Sequence, residues 1–388
     1  MSSQRISSFV ANGDVALRSA VQGFVALHPS LLLNVEQKVI YRNDPDRLGR
    51  VAVLSGGGAG HEPAHAGFVG NQMLDAAVCG AVFASPNAKQ IEAGLRAIRS
   101  PRGILIVVKN YTGDKLNFTL ASERFNISTG VPVKLVIVAD DVSIGRSKSA
   151  LVGRRGLAGT VLVSKISGAA SASGLDLDAV ATAANFVIAN MGTIGVGLDG
   201  CDLPGQPHQS RVADDELELG IGIHNEPGSK RIQPRPSLTD LVKEMLANIL
   251  GEDPERNYLE SPPRPEHHDV VLLINNLGSL SNLEIVAITG EVVSRLHTDY
   301  DLKPTRVYAG TLLSALNGPG FSITLLSLPK DNSLSAKVLE WLDAPTDAIG
   351  WPCAITSTAW AGQAPVSTNA ELAEQEQVVS LNIPAVPC

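Results

Sequence analysis

The chain has 388 residues, 44% of them hydrophobic and 18% charged, which is apolar sequence enough for two globular domains and too much for disorder throughout. Its net charge of −8 and pI near 5.5, with no basic run, exclude the electrostatic footprint of a nucleic-acid or acidic-membrane binder. Cys79, Cys201, Cys353 and Cys388 lack CxxC spacing, so neither a disulfide framework nor a structural zinc site is expected.

Met1 to Asp14 is polar and carries no apolar signal core, and no stretch approaches the roughly 20 apolar residues that span a bilayer. The expectation is a cytoplasmic protein in a reducing compartment. Along the chain, Val51–Ser55, Ile104–Lys109 and Lys134–Ala139 read as buried β-branched strands separated by Ala-rich helices. Asp176–Met191 has helical composition. The Gly-rich run Gly192–Gly200 then reads as a change of element and of domain.

Beyond it, Leu238, Leu241, Val242, Met245, Leu246 and Ile249 recur at helical spacing behind Ser237 and Asp240, which have capping-box spacing. The Pro-rich connection Ser261–Pro265 leads to a strand at Val270–Asn275, and Ser281 with Glu284 opens a helix running to Leu296. Phe321–Leu326 reads as a strand and Ser335–Leu342 as a short helix. The fold class expected is α/β: two α/β domains, 1–191 and 192–352, each a mixed sheet flanked by helices, with 353–388 a linker or tail.

Three motifs carry candidate chemistry. Ser55 to Pro63, SGGGAGHEP, follows a strand, so its amides can crowd a small polar ligand. It lacks the Lys-Ser/Thr of a P-loop and the GxGxxG spacing of dinucleotide folds, but ends on His61, a titratable group. Lys109 to Asp114, KNYTGD, lies at another strand end, where ligands of open α/β sheets bind. There Asp114 can accept a hydroxyl proton during attack on phosphorus, and Lys109 can orient an oxygen. Gly220 to Gly228, GIGIHNEPG, leaves space beside His224, whose neutral imidazole can add to a carbonyl. Read singly, the first motif is as readily a Gly-rich turn, and the bland readings of the other two, a solvated turn and a structural histidine, are preferred. His267-His268-Asp269 adjoins the Pro-rich connector and reads as a loop, not a metal site. Asn275–Gly278 and Asn317–Gly320 read as strand-end turns.

Taken together and in this order, SGGGAGHEP, KNYTGD and GIHNEPG resemble the substrate-binding domain of the dihydroxyacetone (glycerone) kinase family. GRRGLAGT at Gly153–Thr160, Asn275–Gly278 and GFSITLL at Gly320–Leu326 extend the likeness, which covers about His28 to Pro352. The resemblance implies that His224 binds the ketone carbon covalently as a hemiaminal. It implies that Gly57, Gly58, Ala59, Gly60, His61, Lys109 and Asp114 line the substrate, with His61 and Asp114 assisting proton transfer. Asn225, where many bacterial relatives have glycine, is similar to the fungal, ATP-using branch.

That branch also carries a helical nucleotide domain, and nothing after Pro352 has the sequence to build one. Mg-ATP is therefore expected on an absent domain or a separate phosphoryl-donor subunit, with no cofactor and no metal bound by this chain. The other partners implied are dihydroxyacetone or a similar short ketose, with glyceraldehyde as a further candidate substrate, and a second copy in a homodimer. The competing expectation is a ketone-binding sensor or regulatory subunit without catalysis.

Overall fold

β-branched stretches that bury both faces alternate with amphipathic helices, and this alternation builds two sheets with helices on each side. The computed structural model describes residues 8–362 apart from Ala11, Pro45, 150–152, Gln209, Glu252 and 353–354.

The chain opens with α1 (Gly13–Leu27), the hairpin β1 (Leu31–Asn34) and β2 (Val39–Arg42), then β3 (Ala52–Ala59) and β4 (Ala76–Val82). Next come α2 (Ala88–Ala97), β5 (Ile104–Lys109), α3 (Thr112–Thr129), β6 (Val133–Val138) and the short α4 (Arg146–Ser149). Helices α5 (Gly159–Ala172) and α6 (Leu177–Ala189) lead to β7 (Met191–Gly197), β8 (Leu217–Leu219) and β9 (Lys230–Ile232). After α7 (Leu238–Leu250) follow β10 (His268–Asn276), α8 (Asn282–Tyr300), β11 (Pro304–Gly310), β12 (Gly320–Pro329) and α9 (Ser333–Asp343).

The first six-stranded sheet runs β1-β2-β4-β3-β5-β6, parallel from β4 to β6 and antiparallel at the β1-β2-β4 edge. The second runs β11-β10-β12-β7-β8-β9 and is antiparallel except between β10 and β11. Alternate side chains serve opposite layers. Leu54, Ile106 and Val108 pack on Ile91, Leu95, Phe118 and Phe125 of α2 and α3, whereas Val53, Leu105 and Val107 face the layer containing α5. Val271 and Leu273 of the second sheet join that same layer, while Leu272 and Ile274 turn to α7 and α8. Helix α5 is buried all round from Gly159 to Ser171 because it is sandwiched between layers; even its Lys165 is buried, donating from Nζ to the Trp341 carbonyl at 2.6 Å.

Residues Met1–Ala354 form one compact unit. The other unit, Ile355–Cys388, is described only over 355–362, where α10 (Ser357–Ala361) is capped by the Thr356 side chain. Most of the linker or tail expected over 353–388 lies outside the described residues.

Several expectations shift in detail. The strand expected to stop at Ser55 continues through the glycines, because Gly57 pairs with Cys79 and Ala59 with Val82. A Cβ on Gly56 would sit 2.5 Å from the Val78 carbonyl, so the run is strand that only glycine fits, and not a free loop. Gly192 to Gly197, expected as a break, is part of β7 for the same kind of reason. His268 and Asp269, expected in a loop, begin β10. Thr112 to Asp114 form the first turn of α3, so the strand-end motif is also a helix start.

Candidate active site

The carboxyl ends of the parallel strands β3 and β5 carry the first half of the site. Lys109 is the last residue of β5, 1% exposed, and Asp114 in the first turn of α3 is 5% exposed. A Cβ built on Gly57 would lie 3.2 Å from Lys109 Nζ, 3.6 Å from Asp114 Oδ2 and 3.7 Å from His65 Nε2. The space a side chain would take at Gly57 is thus the point on which an ammonium, a carboxylate and an imidazole converge.

Asp114 Oδ1 is buried and has no hydrogen-bond partner among the described residues. Burial pushes the Asp114 carboxyl above its ordinary range, with Lys109 and then the Ser85 hydroxyl pulling the other way. Burial lowers Lys109, against the attraction of Asp114, Asp140 and Glu62. An unsatisfied, raised carboxylate beside a lysine suits removal of a hydroxyl proton.

His224 comes from the other sheet, on the loop between β8 and β9, and its side chain is 19% exposed. Its ring lies edge-on to Tyr111, with centroids 4.6 Å apart, and edge-on to His61 at the same separation. His61 is fully buried and stacked on Phe83 at 5.2 Å. The two imidazoles meet through their Nε2 atoms, 2.9 Å apart.

The outer nitrogens fix where the protons lie. His61 Nδ1 is 2.8 Å from the Ser314 carbonyl, which only accepts, so Nδ1 donates. His224 Nδ1 is 3.0 Å from Glu226 Oε1, and Glu226 Oε2 accepts the His224 amide at 2.8 Å. Burial raises Glu226, but the hydrogen bonds and charge of His224 outweigh it and bring the carboxyl to about 2. Glu226 is therefore an ionised acceptor, and His224 Nδ1 donates to it. Burial first, then Lys109 and His224, hold His61 well below the usual imidazole range, which leaves its Nε2 as an acceptor toward His224.

The loop that carries His224 is shaped by its sequence. A Cβ on Gly222 would fall 2.1 Å from Glu226 Oε2, so only glycine lets the carboxylate reach the histidine. Asn225 has φ +60°, a region where asparagine is among the few tolerated non-glycine residues, and its side chain bonds both the amide and the carbonyl of Cys201. Arg155, within GRRGLAGT, ties the loop down. It donates to the Gly220 carbonyl at 2.6 Å and to Asp141 Oδ2 at 2.6 Å.

The remaining loop residues support from behind. Ala59 is buried at the end of β3, a Cβ on Gly58 would strike the backbone of Phe83 and Ala84, and the Gly60 amide donates to Glu62 Oε2 at 2.9 Å. Sequence reasoning missed His65, Glu226, Tyr111, Phe83 and the Ser314 carbonyl. Glu226 stands two residues past His224 and His65 four past His61, which is the only signal the sequence offered; a backbone carbonyl leaves none. Among the described residues no group of His, Cys, Asp and Glu is placed to hold a metal, and no helix is long and apolar enough to cross a membrane.

A dihydroxyacetone kinase from Pichia angusta is 47% identical over 358 residues, 88% of this chain and 58% of that protein. The chain thus spans less than two thirds of that relative's length. The crystal structure of the dihydroxyacetone kinase of C. freundii superposes with a TM-score of 0.78 at 31% identity, covering 98% of this chain and 64% of the other. A dihydroxyacetone kinase operon co-activator, Dha-DhaQ, gives 0.77 at 30% identity, covering 86% of this chain and 98% of the other. The Dak1 domain matches residues 22–350, and on that extent the chain belongs to the Dak1 domain family.

Proposed function

We propose that this chain is the substrate-binding and catalytic part of a dihydroxyacetone kinase, holding the ketone as a hemiaminal on His224 while a terminal hydroxyl is phosphorylated. The observation that carries the reading is the orphaned Asp114 Oδ1 beside Lys109, across a glycine-cleared space, in a site whose other wall is a half-open histidine.

Addition needs a lone pair on His224 Nε2. His61 Nε2, at 2.9 Å, takes the proton from it, the nitrogen–carbon bond forms, and the carbonyl oxygen receives that proton as a hydroxyl. His61 returns to its neutral form, and the substituted imidazolium still faces Glu226. No proton is gained or lost overall. Lys109 then orients the terminal oxygen, Asp114 Oδ1 accepts its proton, and the oxygen attacks the phosphoryl donor. A covalent anchor of this kind selects carbonyl compounds over polyols. Mg-ATP on a separate nucleotide domain or donor subunit, a cytoplasmic setting and a homodimer belong to the same reading, which the kinase names of relatives support.

The likeness to a co-activator suggests a second reading, a ketone-binding regulator, which the kinase names of the relatives do not favour. Dihydroxyacetone, Mg-ATP and the nucleotide-binding half of a family kinase are combined with the chain, and triose phosphate is measured. Turnover establishes the kinase reading. Concentration-dependent thermal stabilisation by the ketone with no turnover establishes the regulator instead.

A further inference from the structure

The Lys109 ammonium faces the cleared side of Gly57, yet it is too deeply buried for water to fix its direction. A lysine has several rotatable bonds, so something in the protein must aim it. Its neighbour is His65, whose Nε2 lies 2.9 Å from Nζ. His65 Nδ1 in turn lies 3.0 Å from Ser55 Oγ, and that hydroxyl is 2.8 Å from the Val107 carbonyl.

The direction of this chain is forced from its far end. A carbonyl only accepts, so the Ser55 hydroxyl spends its hydrogen on Val107 and accepts from His65 Nδ1. His65 is then protonated on Nδ1 and bears its lone pair on Nε2, the one form that can accept from the ammonium. Ser55 and Val107 are also the last paired residues between β3 and β5, so the chain is anchored where the ladder stops. Burial first, then the charge of Lys109, holds His65 well below the usual imidazole range, which keeps the lone pair in place.

We infer that His65 is a positioning residue for the proposed reaction: the chain Val107–Ser55–His65 takes up one Lys109 hydrogen and leaves the others turned to the space beside Gly57, where the substrate oxygen is proposed to lie. The inference rests on the ketone-kinase reading, deepening it by a residue that touches no substrate itself. It also explains why the motif His61-Glu62-Pro63-Ala64-His65 carries a second histidine.

The test is a double-mutant cycle read by calorimetric binding of dihydroxyacetone to the chain. His65→Leu is expected to weaken binding roughly tenfold, the scale of a lost hydrogen bond to a charged group. His65→Gln, whose amide offers a donor and an acceptor at similar spacing, should restore binding to within about threefold. In a Lys109→Met background, His65→Leu should cost nothing further, because its effect passes through the ammonium. An equal loss in both backgrounds, or no loss at all, overturns the positioning role. Nitrogen NMR of the His65 ring stands apart from ketone binding and from the folding of the Leu variant. An Nδ1-protonated ring whose Nε2 signal shifts in Lys109→Met supports the inference, and an Nε2-protonated ring overturns it. If the unmodified chain binds no ketone, the functional reading fails, and the ring spectrum still decides the role of His65.

Discussion

The strand-end cluster of the first sheet and the β8–β9 loop of the second hold charge in opposite ways. Lys109 ends β5, Asp114 opens α3 and His65 lies in the connection between β3 and β4; all are at most 5% exposed, and His65 and Lys109 hold each other across 44 residues of sequence. His224 is 19% exposed and is held by its own loop, through a glutamate two residues away. The two imidazoles on either side of the seam, His61 and His224, differ accordingly: one is stacked and buried, the other open on one face. Under the proposed function the contrast amounts to a division of labour. A group that must orient an oxygen is fixed by a sheet, and a group that must form and release a bond is given a local loop with access to ligand.

The largest expected effect lies on the rigid side. Asp114→Asn removes the acceptor for the hydroxyl proton while leaving His224 untouched, so triose phosphate formation should fall by about 10² to 10⁴ with ketone binding nearly unchanged. Equal loss of binding and turnover would erase the proposed division. On the loop side, Glu226→Gln keeps an acceptor for His224 Nδ1 but deletes the negative charge that faces its ring. Ketone affinity should weaken roughly tenfold, measured by calorimetry.

The same glutamate makes a signed prediction for stability. Its folded value of about 2 lies below the ordinary 4.5, so its stabilisation is complete above pH 4.5 and is lost as pH falls towards 2. Glu226→Gln should therefore narrow the difference in unfolding free energy between pH 5 and pH 2.

The smallest effect concerns the buried histidines. Folding keeps protons off His61 and His65, which the unfolded chain binds below about pH 6.5, so stability declines as pH drops through that value. His65→Gln should reduce this slope by one proton, about 1.4 kcal/mol per pH unit, in urea titrations between pH 6 and pH 5. An unchanged slope would mean that His65 is free to protonate and is less rigidly held than the comparison requires.

Much of this was legible in the sequence where physics is local. The helix α7 follows its apolar spacing and its Ser237 cap, and β5 matches the run Ile104–Lys109. The mixed two-sheet α/β architecture followed from the alternation. Glycine runs were harder, because composition cannot separate a flexible loop from a strand squeezed by neighbours such as Val78 above Gly56.

The site was legible as residues and not as bonds. Nothing in KNYTGD tells that Asp114 opens a helix, and nothing near His61 tells that Ser314, far along the chain, supplies its acceptor. Asn275 shows why: its side chain accepts from the amides of Leu312 and Leu313 and donates to the Leu313 carbonyl, setting the Ser314 turn from a neighbouring strand. A sequence read as strand-end turn chemistry has no way to register such a contact.

The central claim is that His224 forms a bond to the ketone carbon. Carbon NMR of the chain with dihydroxyacetone labelled at its central carbon tests it most directly. The account predicts that the bound resonance leaves the carbonyl region for that of a tetrahedral carbon bearing nitrogen and oxygen, and that His224→Ala abolishes this signal. A bound carbon that stays in the carbonyl region, or a tetrahedral signal that persists in His224→Ala, would contradict it.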